Sequence, residues 1–308
     1  MKIGIDIGGT KCAVVLGDEK QIIKKIKFDT KDCKRTVEEI MSAVEVIGEG
    51  DAIGISCGGP LDSGRGVIMS PPNLPDWNDV HIVDMLTGRF GIPTYLCNDA
   101  NACALAEWKY GAGRGTQNMV FLTFGTGLGA GLILNGRLYE GACGMAGEVG
   151  HVRLSEHGPV GYGKAGSFEG FCSGRGIAQI GRTVALECLQ SGRSAAFCSS
   201  VGELDGITAK LIAEYADRGD VDAQRVYAIS GEMLGRGLSM IVDILNPEVI
   251  VIGSVFSRSE NLLRESMEKT LRREALGTSV AACRIVGASL GENIGDFAAL
   301  SVAFEGGK

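Results

Sequence analysis

No apolar run in this sequence approaches the roughly 20 residues that a helix needs to cross a bilayer, which argues against a membrane span. Nor is there a block of lysine and arginine. The densest cationic run, KKIKF at Lys24–Phe28, is short and offset by nearby acids within a net charge of −7, so neither nucleic acid nor anionic membrane is expected as a partner. Ten cysteines contain no C-x-x-C. With no signal-peptide organisation in the opening MKIGIDIGGT, a disulfide framework is not expected, and the thiols read as small buried hydrophobes in a reducing, cytoplasmic compartment. The Walker pattern G-x-x-x-x-G-K-[ST] is also missing, as is any low-complexity segment.

Glycine is abundant instead: 47 of 308 residues, gathered at junctions between periodic segments. Such clusters mark tight turns or close backbone approach to a ligand. Apolar runs alternate with amphipathic stretches, which predicts an α/β fold of about two domains. Lys2–Ile7 and Lys11–Leu16 read as a hairpin around a glycine turn, and Thr36–Ile47 as a helix. Ala52–Ser56 and Thr94–Cys97 read as strands, and Asp99–Tyr110 as a helix ended by Gly111. After a linker at Ala112–Gln117 the pattern restarts, with Asn118–Thr123, a glycine turn and Ala130–Leu134. IDIGGTKCAVVLGD superposes on LTFGTGLGAGLILNG as strand, turn and strand, which is an internal duplication. A long helix at Asp222–Leu245, an apolar strand at Glu248–Gly253 and a helix near Glu260–Leu271 follow. Two similar lobes with a ligand cleft between them are expected.

Chemistry concentrates in three places. In DIGGTK, Gly8 and Gly9 would let backbone N–H groups approach a phosphate, Thr10 and Lys11 add a hydroxyl and a charge, and Asp6 could hold Mg²⁺ through water. TFGTGLGAG repeats the device with Gly125, Thr126 and Gly127. In CNDAN a strand ends and a helix begins. Asn98 and Asp99 are either a plain N-cap or, with Asp99 as general base, a catalytic helix start. In GEVGH and EGFCSG, Glu148, His151 and Glu169 suit the hydroxyls of a polyol. The rival reading is a metal site of Glu148, His151, Glu156 and His157, but H-x5-H is not a usual zinc spacing.

Together these motifs resemble the ROK family of sugar kinases and sugar-responsive repressors, over essentially the whole chain. The resemblance implies two actin/hexokinase-like (ribonuclease H-like) lobes. The small lobe would be residues 1–116 with a C-terminal helix returning to it at 295–308, and the large lobe 117–294. It implies ATP and Mg²⁺ as cofactors, a hexose (glucose first) phosphorylated at O6 as substrate, and a homodimer. DIGGTK and FGTGLGAG match the family's phosphate motifs, and NDAN carries its catalytic Asp99. Gly59 of ISCGGPLD, Asn98, Glu148, His151 and Glu169 fall at sugar-contacting positions, with PPNLPDW on the sugar side. VIGSVFS sits where the family usually has Ile-Gly-Gly, which the resemblance implies lies beside the adenosine, so that Gly253 keeps the first of the two glycines and Ser254 replaces the second. Val160, Tyr162 and Ser167 stand where many members have the three cysteines of a zinc clip. No structural zinc is therefore expected, and packing of Tyr162 and Phe168 is expected to anchor the loop in its place. A first strand beginning at Lys2 leaves no helix-turn-helix ahead of it, against a repressor. The remaining alternatives are a kinase for another hexose or an N-acetylhexosamine, a sugar-binding pseudokinase, and a different ATPase on the same fold, which GEVGH with Glu169 argues against.

Overall fold

The hairpin expected at the start is there, and it opens the first of two five-stranded sheets built to one plan. The computed structural model describes residues 1–306. Strands β1 (Lys2–Ile7) and β2 (Lys11–Gly17) pair antiparallel, and β3 (Ile22–Asp29) continues the antiparallel side. On the other side β4 (Ile53–Cys57) runs parallel to β1, and β5 (Thr94–Asn98) parallel to β4, giving the order β3-β2-β1-β4-β5. The second sheet comprises β6 (Met119–Phe124), β7 (Leu128–Leu134), β8 (Arg137–Leu138), β9 (Val249–Ile252) and β10 (Arg284–Gly287). Its order, β8-β7-β6-β9-β10, repeats the first. The duplication read in the two glycine hairpins thus extends to all ten strands.

The charge run Lys24–Phe28 lies within β3, an edge strand absent from the sequence reading. Ile26 and Phe28 pack on the core while Lys25 and Lys27 alternate outward, and lysines along an edge discourage strand addition by other chains. Each fully buried isoleucine of β1 and β4 contributes roughly 1.5–3 kcal/mol of apolar burial, and Ile5, Ile53 and Ile55 have no exposed surface. Helix α1 (Cys33–Ile47) covers this sheet with Val37, Ile40, Val44 and Ile47, its first turn capped by Asp32 accepting from Arg35 N. Helix α2 (Asp99–Lys109) follows β5 directly.

In the remainder, α3 (Gly174–Gln190), α4 (Val221–Leu245) and α5 (Val255–Glu274) are the long helices. The last begins earlier than expected, and its helical backbone breaks at Ser259 (φ −131°, ψ 29°). Helix α6 (Ile294–Glu305) returns to the first sheet. A methyl group on Gly54 would lie 2.2 Å from Ala303 N, so only glycine lets the helix seat there.

Two compact units emerge. One contains Met1–Gln117, Gly131–Ala146 and the segment from Ser289; the other contains Asn118–Ala130 and Gly147–Ala288. All ten cysteines are free, six of them buried, whereas Cys143 is exposed. Among the described residues no helix is long and apolar enough to cross a membrane.

Candidate functional site

In the first unit the carboxyl ends of three parallel strands gather the expected groups. The turn after β1 closes with Gly8 N donating to Lys11 O (3.2 Å), and Thr30 braces it, donating its hydroxyl to Gly8 O (2.6 Å) and its amide to Thr10 O (2.9 Å). Gly9 is pressed against Asn73, whose Cβ lies 2.6 Å from where a methyl on Gly9 would sit. The PPNLPDW loop and the phosphate turn therefore touch. Ser70 in the same loop bonds Asn78 through its hydroxyl.

At the end of β5, Asn98 Oδ1 accepts from Ala100 N (3.0 Å), which makes Asn98 the N-cap. Asp99 Oδ1 accepts from the same amide (2.8 Å), and the residue is exposed. A methyl on Gly59 would lie 3.3 Å from Asn98 Nδ2, and one on Gly58 would lie 3.7 Å from Asp99 Oδ2. Gly59, Asn98 and Asp99 thus form one group. The cap and the catalytic reading are not exclusive, because both side chains accept from the Ala100 amide while Asp99 remains exposed.

Asp6 shares this region. Burial, then the carboxylates of Asp296 and Asp99, push its pKa up to about 6, against the opposing effect of Lys25 and Lys27. Asp296 is itself buried and ion-paired with Lys25. Protonation of Asp6 thus stabilises the fold fully below the unfolded value near 3.8, and that contribution is lost as pH rises through about 6. Above pH 6 the native state carries a cost of about 3 kcal/mol, from 1.36 kcal/mol per pK unit. Asp6→Asn is expected to melt higher than wild type at pH 8, with the difference shrinking toward pH 4. A melting-temperature difference that stays flat between those limits would show that Asp6 is not destabilised by its surroundings.

The second unit holds the other half of the residues. In the turn after β6, Gly125 N donates to Gly127 O (3.0 Å) and Thr123 Oγ1 accepts from Gly129 N (2.9 Å). Glu169 Oε2 accepts from Leu128 N (3.0 Å) and lies 2.7 Å from where a methyl on Gly127 would be. A methyl on Gly150, between Glu148 and His151, would meet Glu169 Cβ at 3.4 Å. Glu169 therefore touches both the second glycine turn and the GEVGH segment. Glu148 and His151 are exposed, Glu148 preceding and His151 ending a single 3-10 turn at Val149–His151.

The loop at the zinc-clip positions is held by hydrogen bonds. Gln179 grips the Val160 backbone from both sides, accepting from Val160 N and donating to Val160 O at 2.9 Å each. Ser167, fully buried, accepts from Gly170 N (3.0 Å). Lys164 donates to His151 O (2.7 Å). Phe168 is buried against Gly237 of α4 as expected. Tyr162 is not an anchor: it is 80% exposed and meets the His151 ring only edge-on, at 6.4 Å between centroids. It occupies a positive-φ position at the tip of a two-stranded hairpin, Val160–Gly161 with Lys164–Ala165, which turns the ring away from the core. The alternative metal set is not assembled either, since no cluster of three or more His, Cys, Asp or Glu occurs among the described residues.

Gly253 is buried at the end of β9, donating to Leu122 O (2.9 Å) with Phe121 against its Cα. Beyond it opens a cavity of about 950 Å³, lined by Gly125, Thr126, Arg175, Lys210, Tyr227 and Arg258, among others. Arg175, Lys210 and Arg258 lie in no recognisable motif of the sequence. The SG at Ser173–Gly174 that caps α3 was the one local signal, with Ser173 Oγ accepting from Gly176 N (3.0 Å).

The sequence profile of the ROK family matches residues 2–305. The chain is similar to the glucokinase of Thermotoga maritima, at 31% identity over 98% of this chain and 97% of that protein. It is similar to an N-acetylmannosamine kinase of Escherichia coli, at 32% identity over 85% of each. Among solved structures it resembles a ROK family glucokinase from Streptomyces griseus in complex with glucose and AMPPNP, with TM-score 0.78, 31% identity and 99% of both chains covered.

Proposed function

The chain belongs to the ROK family and is an ATP-dependent sugar kinase, and from that premise we propose that its acceptor is a hexose, glucose before others, phosphorylated at O6. Asp99 accepts the hydroxyl proton as the acceptor oxygen bonds to the γ-phosphorus and the bond to the β-phosphate oxygen breaks, releasing ADP. A weak base suffices, because such transfers depend mainly on positioning and charge neutralisation. Gly59, Asn98, Glu148, His151 and Glu169 bind sugar hydroxyls. Gly8 to Lys11 and Gly125 to Gly127 hold phosphates, with Gly253 beside the nucleoside.

Mg²⁺ fits beside Asp6, whose ionisation is opposed by burial and two carboxylates, so a cation there relieves a cost already present. When bound, it neutralises phosphate oxygens. The proposed small lobe is residues 1–116 with 295–308, the large lobe 117–294, and the working form a cytoplasmic homodimer.

The observation that carries this reading is Glu169, which supports the second glycine turn and the GEVGH segment at once. Phosphate and polyol contacts are thereby built on one residue. The test is ADP release with Mg·ATP across hexoses and N-acetylhexosamines. Fastest turnover on an N-acetylhexosamine would overturn glucose and favour the second reading, which the similarity to the Escherichia coli kinase supports.

Turnover is expected to be indifferent to a zinc chelator, because Gln179, Ser167 and Lys164 hold the loop. Metal analysis finding about one zinc per chain, with activity lost on chelation, would refute this.

A further inference from the structure

Ser254 stands out twice. Its backbone lies at φ 57°, ψ −108°, a region that side chains other than glycine's rarely adopt. Its hydroxyl accepts from Arg258 Nη2 (3.2 Å), one helical turn on. The same oxygen lies 3.6 Å from where a methyl on Gly125 would sit, so it borders the second phosphate turn. Residues Val255 to Arg258 form a turn of their own, because the helical backbone breaks at Ser259. Gly125, Thr126, Ser254 and Arg258 all line the cavity beyond β9, and both Ser254 and Arg258 are exposed to it.

Building on the kinase reading, we propose that Arg258, aimed by Ser254, binds the phosphate chain of the donor beside Gly125 and Thr126, and that this pair sets donor affinity. A guanidinium has five donors in a planar fork suited to phosphate oxygens. Ser254 occupies one of them and fixes the plane, leaving the rest for a ligand. The serine supplies a function for backbone strain that glycine at this position would avoid. Arg258 is a binding residue, and Ser254 acts through it as a positioning residue.

The test is steady-state kinetics of the full chain with Mg·ATP and its best sugar, with inorganic tripolyphosphate as a competitor. Arg258→Ala is expected to raise the KM for ATP by about tenfold, the loss of a charge-assisted contact. Tripolyphosphate inhibition should weaken in parallel, while kcat and the sugar KM stay as in wild type. Arg258→Lys should recover part of the loss. Ser254→Gly should raise the KM for ATP by a smaller factor while raising the melting temperature, two changes of opposite value that simple damage does not produce. An unchanged KM for ATP in Arg258→Ala overturns the proposal. So does a matching rise in the sugar KM, or weaker ATP binding with tripolyphosphate inhibition intact, which would move Arg258 to the nucleoside. Wild type that turns over no sugar with ATP would overturn the kinase reading itself, and the proposal with it.

Discussion

Asp99→Asn is expected to lower kcat by about 10²–10⁴-fold, the usual contribution of a general base, with little change in either KM. The melting temperature should barely move. Asn98 already caps α2 through Ala100 N, and asparagine at 99 keeps an oxygen for that amide. Loss of rate without loss of fold therefore separates catalysis from capping. If the variant retains more than about a tenth of wild-type turnover, well above what general-base loss leaves, Asp99 is only a second cap and the proton leaves by another route.

Glu107→Ala is expected to cost at least about 4 kcal/mol, because it leaves several buried hydrogen-bond donors unpaired. Glu107 is fully buried on α2. One carboxylate oxygen accepts from Ser289 N (3.0 Å) and Leu290 N (2.9 Å), the other from Ala112 N (2.8 Å) and the Ser289 hydroxyl (3.2 Å). Truncation strands four donors in a dry site, each worth about 1–3 kcal/mol if left unpaired. Glu107→Gln keeps the shape but turns an N–H₂ toward donors, so it should recover only part of the loss. The same carboxylate ties α2, which begins at Asp99, to the segment leading into α6 and Gly295, against which Asp6 packs. Thermal melts of both variants provide the check. A loss under about 1 kcal/mol, the scale of a surface substitution, would mean that water replaces the carboxylate.

Local chemistry made much of this protein legible in its sequence. Both glycine turns, the helix start at Asn98–Asp99 and the all-apolar strand Val249–Ile252 are set by neighbouring residues and by periodicity, and these signals are short-ranged. The repeated hairpin gave away the duplication for the same reason, while the shared strand order came from the structure. Strand β3 carried a period-two alternation in KKIKF but was obscured by its charge. What only tertiary structure decided lies across long chain separations. Glu107 finds partners 182 residues away, the pKa of Asp6 is raised by its burial and then by Asp296 and Asp99, and Gln179 grips the Val160 backbone 19 residues away. A side chain's role follows from what it is buried against, and burial is a property of the packed chain, whereas turn and period belong to the residues themselves.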